Sequence, residues 1–302
     1  MFRHLHTSQI LHSTLKRSTV VRVFGPLESM ITITVVRHGE STDNLKPLWA
    51  GWADAPLSVH AKALGDSLKD TRVDSIFSSD LLRALWTAQQ IQKHQPEEPS
   101  LTITELLREQ HWGEAEHKPW GEGGYTRESG RHFKFPGGES LTDVRHRAKQ
   151  AIADFIEPIL QTNHGRPASS KHIVVVAHGI FNSEFIGALL SRRKGQGSFD
   201  WGYRGMTNTG WTKLEVGYAD ESPDSLPQHM ETHPRTPISP SSEPSEPPPA
   251  HDRGELPPLS VKIVCTDITT HLDNVQRPPG GLGRQGYDEK QADIRKFFSG
   301  GD

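Results

Sequence analysis

Two short apolar runs, each followed at once by a histidine and a glycine, constrain this chain most. The run at 31–36 leads into Arg37 and His38, and the run at 172–177 leads into His178. Continuous apolar runs of this length are typical of buried strands in a parallel sheet. The carboxyl ends of parallel strands share one edge of the sheet, where α/β folds bind their ligands. The sequence therefore predicts two imidazoles and a guanidinium at that edge.

Helix and strand patterns alternate around these two runs. The apolar spacing predicts helices over 59–70, 80–93, 141–159 and 180–191. Further strands are expected at 75–77, 101–103, 211–216 and 261–265. Strands that alternate with helices indicate an α/β fold with a mainly parallel sheet.

Serine and aspartate residues predict where two of these helices begin. Ser79 or Asp80 is expected to cap the helix at 80–93, because short polar side chains satisfy the free amides of a first turn. Ser140 and Asp143 have the spacing of a capping box. The Gly- and Trp-rich stretch at 112–138 is predicted to be loop rather than core.

Composition separates a central folded part from segments that are poor in apolar residues. Residues 219–260 hold 11 of the 22 prolines and no aromatic residue, so they cannot bury a core and are expected to be a disordered insertion. The expected folded domain covers 30–218 and returns for its final strand at 261–275. Residues 276–302 are expected to form a loose tail.

The first 29 residues carry four basic residues, one acidic residue and seven serines or threonines. That composition fits a mitochondrial transit peptide. A disordered leader, or a protein start at Met30, explains it equally well. The expected location is cytoplasmic, or mitochondrial if residues 1–29 are a transit peptide.

Charge and cysteine content exclude several classes of partner. The net charge of -3 gives no broad attraction to nucleic acid. No apolar run approaches the roughly 20 residues that a membrane span needs. Cys265 is the only cysteine, which excludes an internal disulfide and suits a reducing compartment. A small anionic molecule is the expected ligand, without nucleic acid or membrane.

Three further residues are expected to join the histidines at the sheet edge. Arg83 lies in the first turn of a helix that follows a short strand, where a guanidinium can hold an oxyanion with two hydrogen bonds. Glu109 supplies a carboxyl group after the third strand. Asn44 follows the first strand at loop distance and is expected to donate to the same anion.

This set of residues predicts phosphoryl transfer to a histidine. Neutral His38 is the expected nucleophile, while Arg37, Arg83 and a protonated His178 spread the charge of the transferring group. Glu109 is the expected proton donor to the leaving group, and as a carboxylate it then activates water. With so much fixed positive charge, neither a metal nor another cofactor is required.

Five motifs in order carry a resemblance to a known family. They are Val36–Ser41, Ser78–Ala84, Leu107–Glu109, Pro136–Leu141 and Val176–Gly179. From about 31 to 218 the chain resembles the histidine phosphatase superfamily, which implies a phosphoglycerate mutase-like fold, a three-layer α/β/α sandwich. The resemblance also implies His38 as nucleophile, Glu109 as proton donor, and a phosphate pocket of Arg37, Arg83 and His178, with Asn44 contacting the phosphate.

Within that family the chain is most similar to the fructose-2,6-bisphosphatase-type phosphatases typified by the TP53-induced glycolysis and apoptosis regulator. The similarity is carried by residues 106–113, 208–210 and 267–272. It implies a phosphomonoesterase that acts on a small phosphorylated metabolite, such as a sugar bisphosphate, through a phosphohistidine.

Two alternatives stay open for the activity. A cofactor-dependent phosphoglycerate mutase would use the same phosphohistidine, but the 30 positions from Glu109 to Glu139 leave no room for the long insertion that mutases share. A non-catalytic binding module would have lost pocket residues, and all are present. Glu114 and Glu116 are the alternative acids to Glu109.

The proline-rich insertion offers one further hypothesis. Ser222, Thr236 and Ser239 each precede a proline, and residues 234–240 contain a PxxP element. These features are typical of proline-directed phosphorylation and of docking to a partner. A solvated linker is the simpler alternative.

Overall fold

The computed structural model describes most of the predicted domain, namely residues 30–40, 48–52, 60–121, 125–164, 171–193, 205–219, 256–273 and 275. The predicted leader at 1–29 and tail at 276–302 lie outside the described residues, as do positions 220–255 of the predicted insertion. Within the described ranges, no helix has the length and apolar character needed to cross a membrane.

Six strands form one mixed sheet. They are β1 (Ile31–Arg37), β2 (Ser75–Ser79), β3 (Ser100–Thr104), β4 (His172–Ala177), β5 (Trp211–Tyr218) and β6 (Leu259–Ile268). Their order across the sheet is β3-β2-β4-β1-β5-β6. The first four strands of that order run parallel, whereas β5 is antiparallel to both of its neighbours. The expected α/β fold is confirmed, with an antiparallel edge added to a parallel centre.

Helices cover both faces of this sheet. They are α1 (His60–Leu68), α2 (Leu82–Lys93), α3 (Leu141–Ala151), α4 (Glu157–Asn163) and α5 (Gly179–Leu190). Three short 3-10 helices lie at Glu105–Leu107, Gly113–Ala115 and Thr270–Leu272.

Two separate apolar cores show that the fold has three layers. On β4, Ile173 and Val175 belong to the core that α3, α4 and α5 complete, while Val174 and Val176 belong to the core that α1 and α2 complete. Successive side chains of a strand point to opposite faces, so a strand covered on both faces must be apolar at every position. This is why the strand reads as an uninterrupted apolar run.

The predicted helix at 141–159 is one helical segment with an irregular turn in it. A π-helical stretch, Ile152–Ile156, joins α3 to α4. Pro158 lies in the first turn of α4. A proline cannot donate its amide and its ring clashes with the carbonyl four residues earlier, which accounts for the widened turn just before it.

The predicted cap of α2 is wrong. The helix begins at Leu82, and Leu81 stands at its N-cap position without a side-chain hydrogen bond. The Asp80 carboxylate is bound instead by the guanidinium of Arg108, with Nε 2.8 Å from Oδ1. An aspartate with a bidentate partner is not available to cap a helix.

The prediction that residues 112–138 are loop rather than core is half correct. The stretch contains little regular structure, but Trp112 and Phe135 are only 5% and 6% exposed. Trp112 packs on Trp49 with ring centroids 4.4 Å apart, and Phe135 packs on Phe133 at 5.1 Å. Because these aromatics follow no helix or strand period, the sequence pattern does not reveal their burial.

The final strand is longer than predicted. It spans Leu259–Ile268 rather than 261–265, and its first residue pairs with Tyr218 of β5. Two prolines precede Leu259, and prolines are confined to strand ends because they cannot donate to the ladder.

The capping box of α3 provides a test of local stability. Ser140 Oγ accepts from the amide of Asp143 at 3.2 Å, and the Asp143 carboxylate accepts from the amide of Ser140 at 2.9 Å. Ser140→Ala is expected to lower the free energy of unfolding by about 1 kcal/mol, because an amide of the first turn loses its acceptor. Urea denaturation measures the change. The control is Ser67→Ala, at an exposed position of α1. An equal effect of the two substitutions on the free energy of unfolding would contradict the cap.

Candidate active site

The two histidines predicted from the strand ends lie side by side. β1 and β4 are paired in parallel with Arg37 opposite Ala177, so the next residue of each strand is His38 and His178. The amide of His38 donates to the Ala177 carbonyl at 3.0 Å. The ring centroids are 5.0 Å apart. The register of two parallel strands therefore creates the paired imidazoles.

His38 is held in the tautomer that a nucleophile needs. Its Nδ1 lies 2.6 Å from the carbonyl oxygen of Gly39, which can only accept, so Nδ1 carries the hydrogen. Nε2 then keeps its lone pair. The Gly39 amide donates to Thr87 Oγ1 at 2.9 Å, and a Cβ at this glycine would lie 3.3 Å from that of Ala61. The tight approach of this turn to α1 and α2 explains the glycine.

Electrostatics also favour the neutral form of His38. The ring is only 3% exposed. Burial lowers the pKa of His38 well below its ordinary value of 6.5, and the positive charges of Arg83 and Arg37 lower it further, against a smaller opposing effect of the Gly39 carbonyl. Both causes disfavour the imidazolium. An unprotonated Nε2 is consequently available at neutral pH.

Two guanidiniums surround the histidines. Arg37 donates through Nη1 to the Met206 carbonyl at 2.5 Å, and its buried Nε has no hydrogen-bond partner among the described residues. Arg83, which is 3% exposed, donates through Nη2 to the Gly51 carbonyl at 2.5 Å. These two carbonyls are neutral acceptors that orient the guanidiniums.

His178 is the most unusual polar residue of the site. It is fully buried, and neither ring nitrogen has a hydrogen-bond partner within the part of the chain that the structure describes. Leaving a buried polar group unpaired costs about 1–3 kcal/mol, so such groups are rare without a functional reason. Two unpaired ring nitrogens beside two guanidiniums are suited to an oxyanion ligand.

The prediction that His178 is protonated does not hold for the protein alone. Burial lowers the pKa of His178 well below 6.5, and the charges of Arg83, His38, Arg37 and Arg147 add to the effect in that order. The sequence placed His178 correctly but could not show that its ring is completely buried. A bound anion would supply negative charge beside the ring, which favours the imidazolium.

Glu109 lies at the same edge, against the first turn of α5. Its carboxylate accepts from the amides of Ile180 at 3.2 Å and Phe181 at 3.1 Å, and from its neighbour Gln110 at 3.0 Å. His178 is the N-cap residue of α5. The amides at a helix N-terminus attract a negative charge, and here they place the carboxylate close to the histidine.

A partly buried ion pair fixes the chain segment that carries Glu109. Arg147 on α3 donates to the carbonyls of Leu106 and Arg108, both at 2.9 Å, and of Glu109 at 3.1 Å. The Glu139 carboxylate holds this guanidinium with two bonds of 2.7 and 2.8 Å. Sequence reasoning gave neither residue a role, because Arg147 acts on this segment through backbone carbonyls.

The chain at Gly51 and Trp52 joins the two sides of the site. The indole of Trp52 donates to the Glu109 carbonyl at 2.7 Å, while Gly51 receives the Arg83 guanidinium. The Trp52 amide donates to the Glu116 carboxylate at 3.0 Å. Glu116, an alternative acid in the sequence, therefore holds backbone rather than facing the histidines.

The structure places the remaining predicted residues as follows. Glu114, the other alternative acid, is exposed. Asn44 lies outside the described residues. Five predicted residues thus meet at one edge: Arg37, His38, Arg83, Glu109 and His178. No cluster of three or more side chains suited to a metal ion occurs in the described ranges.

Anion binding is expected to bring a proton into this site. Tungstate is a tetrahedral dianion near neutral pH. A dianion next to His178 would favour the imidazolium form of the ring. The affinity for tungstate should therefore rise as the pH falls toward the lowered pKa of His178 in the free protein. Calorimetry in buffers of different ionisation enthalpy measures the proton uptake. His178→Gln should reduce the uptake, whereas exposed His146→Gln should not, and equal uptake by all three proteins would contradict the assignment.

Comparisons with known proteins agree on the family. The model of the histidine phosphatase superfamily (branch 1) matches residues 33–225. Fructose-2,6-bisphosphatase TIGAR of Xenopus tropicalis is 34% identical over 148 residues, which cover 45% of this chain and 54% of that protein. The chain thus spans about half the length of this curated relative.

A phosphoglycerate mutase and the solved structure of a phosphatase are also similar to the chain. A 2,3-bisphosphoglycerate-dependent phosphoglycerate mutase of Gloeobacter violaceus is 31% identical over 164 residues, covering 50% of this chain and 71% of that protein. The solved structure of a mycobacterial glucosyl-3-phosphoglycerate phosphatase with VO3 has a TM-score of 0.51 and 25% identity, covering 62% of this chain and 92% of that one. The family model matches most of the folded part of the chain, and both strand-end histidines lie within the match. The chain therefore belongs to the histidine phosphatase superfamily.

Proposed function

We propose that this protein is a phosphomonoesterase that hydrolyses a small phosphorylated metabolite, of the sugar bisphosphate type, through a phosphohistidine intermediate. One observation carries the proposal. His38 has a fixed tautomer with a bare Nε2, and it lies beside the unpaired ring of His178 and the guanidiniums of Arg37 and Arg83. This arrangement offers a nucleophile and a charge-stabilising pocket at the same place.

The first step transfers the phosphoryl group to the enzyme. Nε2 of His38 attacks phosphorus, a nitrogen–phosphorus bond forms, and the bond from phosphorus to the leaving oxygen breaks. Arg37, Arg83 and His178 bind the phosphoryl oxygens as charge spreads over them in the transition state. Glu109 delivers a proton to the departing alkoxide.

The second step returns the enzyme to its starting state. The Glu109 carboxylate accepts a proton from water, the water oxygen attacks phosphorus, and the bond to Nε2 breaks. Inorganic phosphate leaves, and Nε2 regains its lone pair. The proton lost by Glu109 in the first step is thereby recovered in the second, so the cycle is balanced.

A phosphoglycerate mutase is the second candidate, because mutases are among the similar proteins. The short connection after Glu109 favours hydrolysis. Its two ends are tied together, with Gln110 Nε2 donating to the Glu139 carbonyl at 2.6 Å and the His111 amide donating to the Glu139 carboxylate at 2.9 Å. A mutase must protect its phosphohistidine from hydrolysis by water. A short connection whose two ends are bonded together has few residues that could shield the phosphohistidine.

One experiment separates these two functions. The purified protein is assayed against phosphorylated sugars, phosphoglycerates and nucleotides, with phosphate release and phosphoglycerate interconversion followed in parallel. Phosphate release from one class of metabolite supports the proposal. Interconversion of phosphoglycerates without net phosphate release would support the mutase instead.

His38→Ala is expected to abolish phosphate release and the formation of an acid-labile phosphoenzyme, because the attacking nitrogen is lost. Rapid quench with radiolabelled substrate measures the phosphoenzyme. His94→Ala, on the far end of α2, is the histidine control and should keep both. Turnover by a correctly folded His38→Ala protein at more than a trace would contradict the assignment.

Glu109→Gln tests the proton donor. The amide keeps one oxygen that can accept from the Phe181 amide, and Arg37, Arg83 and His178 are unchanged, so phosphate binding should change little. Release of alkoxide leaving groups should slow by about 10² to 10⁴, and release of activated aryl leaving groups much less, because those depart without a proton. Single-turnover rates for an alkyl and an aryl phosphate measure the difference. Equal losses on both would argue against Glu109, and Glu114→Gln is the control.

A further inference from the structure

A turn far along the chain holds the nucleophile in place. Residues 206–210 form this turn, which immediately precedes β5. The Thr209 amide lies 3.1 Å from the carbonyl oxygens of both Arg37 and His38, and Asn208 Nδ2 donates to the His38 carbonyl at 3.2 Å. The start of the same turn accepts the Arg37 guanidinium. Its position therefore sets the backbone of the nucleophile and the direction of one phosphate-binding group.

Asp267 on β6 fixes this turn. Its Oδ1 accepts from the Thr207 amide at 2.8 Å and its Oδ2 from the Thr207 hydroxyl at 3.0 Å. A Cβ on Gly210 would lie 2.1 Å from the same carboxylate, so only a glycine permits this approach. The Asp267 side chain thus hydrogen-bonds to Thr207 at the start of the turn and lies close to Gly210 at its end.

A β-bulge brings Asp267 to the turn. Trp211 pairs with Ile268 and Lys213 with Cys265, so two residues of β6 face one residue of β5. The Asp267 amide donates to Thr212 Oγ1, at 3.2 Å, rather than to the ladder. Bulges of this kind redirect a side chain and are common next to active sites.

The backbone is strained on both sides of this contact. Thr209 has φ +61° and Asp267 has φ +46°, and His117 is the only other non-glycine residue with positive φ in the described ranges. For a β-branched threonine this conformation is an outlier. Strain of this kind persists only where surrounding contacts enforce it, and it clusters at functional sites.

His271 adds a second support. The Thr209 hydroxyl donates to the Asn208 carbonyl at 2.6 Å, so its oxygen is free to accept. Nε2 of His271, in the 3-10 helix after β6, lies 2.9 Å from that oxygen and therefore donates to it. Asp267 and His271, which both follow the predicted insertion, thus stabilise the turn at 206–210, and that turn positions His38.

We propose that Asp267 is a positioning residue for phosphoryl transfer, acting through the turn at 206–210 on Arg37 and His38. The inference rests on the proposed function. Asp267 lies beyond the span of 33–225 that the family model matches. The strand that follows the predicted insertion is accordingly part of the active-site machinery, and does more than complete the sheet.

The test compares Asp267→Gly with Asp267→Asn in the full chain. Glycine adopts positive φ freely, so Asp267→Gly removes the carboxylate without adding backbone strain. Asparagine keeps an acceptor for the Thr207 amide and tolerates the same backbone. Lys262→Ala, an exposed position on the same strand, is the control.

The expected result is a loss of kcat of about 10²-fold for Asp267→Gly, since small displacements of reacting groups have effects of that size. KM should change less than kcat, tungstate should bind more weakly, and Asp267→Asn should recover most of both properties. Unchanged kcat and tungstate affinity in folded Asp267→Gly would overturn the proposal, and so would a failure of Asp267→Asn to recover them.

Two further measurements keep the test decisive. If Asp267→Gly does not fold, Thr207→Val removes the partner hydroxyl instead, and it should lower kcat and tungstate affinity in the same direction. Wild-type kcat and tungstate affinity in folded Thr207→Val would overturn the proposal. If the wild-type protein hydrolyses none of the substrates, the proposed function fails, while tungstate affinity still decides whether Asp267 shapes the pocket.

Discussion

The parallel pairing of β1 with β4 at the centre of the sheet is the constraint on which the rest of the structure depends. Because Arg37 stands opposite Ala177, the first residue beyond each strand is a histidine, and both rings meet. A shift of one residue in a strand would turn its side chains to the other face. Such a shift would misplace the side chains that pack in both cores, so the contacts that stabilise the sheet also hold the two histidines in register.

The burial of this site opposes folding, because charge is withdrawn from water and ring nitrogens are left unpaired. The groups concerned are Arg37, Arg83, His38 and His178. The pKa shifts show how the protein limits this cost: burial and the guanidinium charges keep both imidazoles neutral. An oxyanion reverses these conditions, since it pairs with the guanidiniums and the unpaired nitrogens together. The site is therefore least stable without its ligand and best satisfied with a tetrahedral anion, which is the electrostatic requirement of phosphoryl transfer.

Residues that directly follow an apolar strand could be placed from the sequence alone, because the strand pattern fixes which edge they share. His38 and His178 are of this kind. What the sequence could not give depends on burial or on contacts to backbone. The neutral state of His178 follows from complete burial, and the support that Arg147 gives to the Glu109 segment runs through carbonyl oxygens that every residue type has. The buried aromatics of 112–138 were missed for a related reason, since their spacing follows the shape of a loop and no regular period.

Several functional groups at the edge are held by an element other than their own. The turn before β5 holds the backbone of His38, the Gly51 carbonyl holds Arg83, and the amides of α5 hold the Glu109 carboxylate. A site built in this way is preorganised, so binding the phosphoryl group requires little rearrangement and its interactions are available to stabilise the transition state. The chain around Trp52 is different in kind: it has little regular structure, and the Trp52 indole is bonded to the Glu109 carbonyl. The proposed mechanism thus assigns phosphoryl transfer to the sheet edge, and it leaves the choice of leaving alcohol to the irregular chain around Trp52 and Glu109.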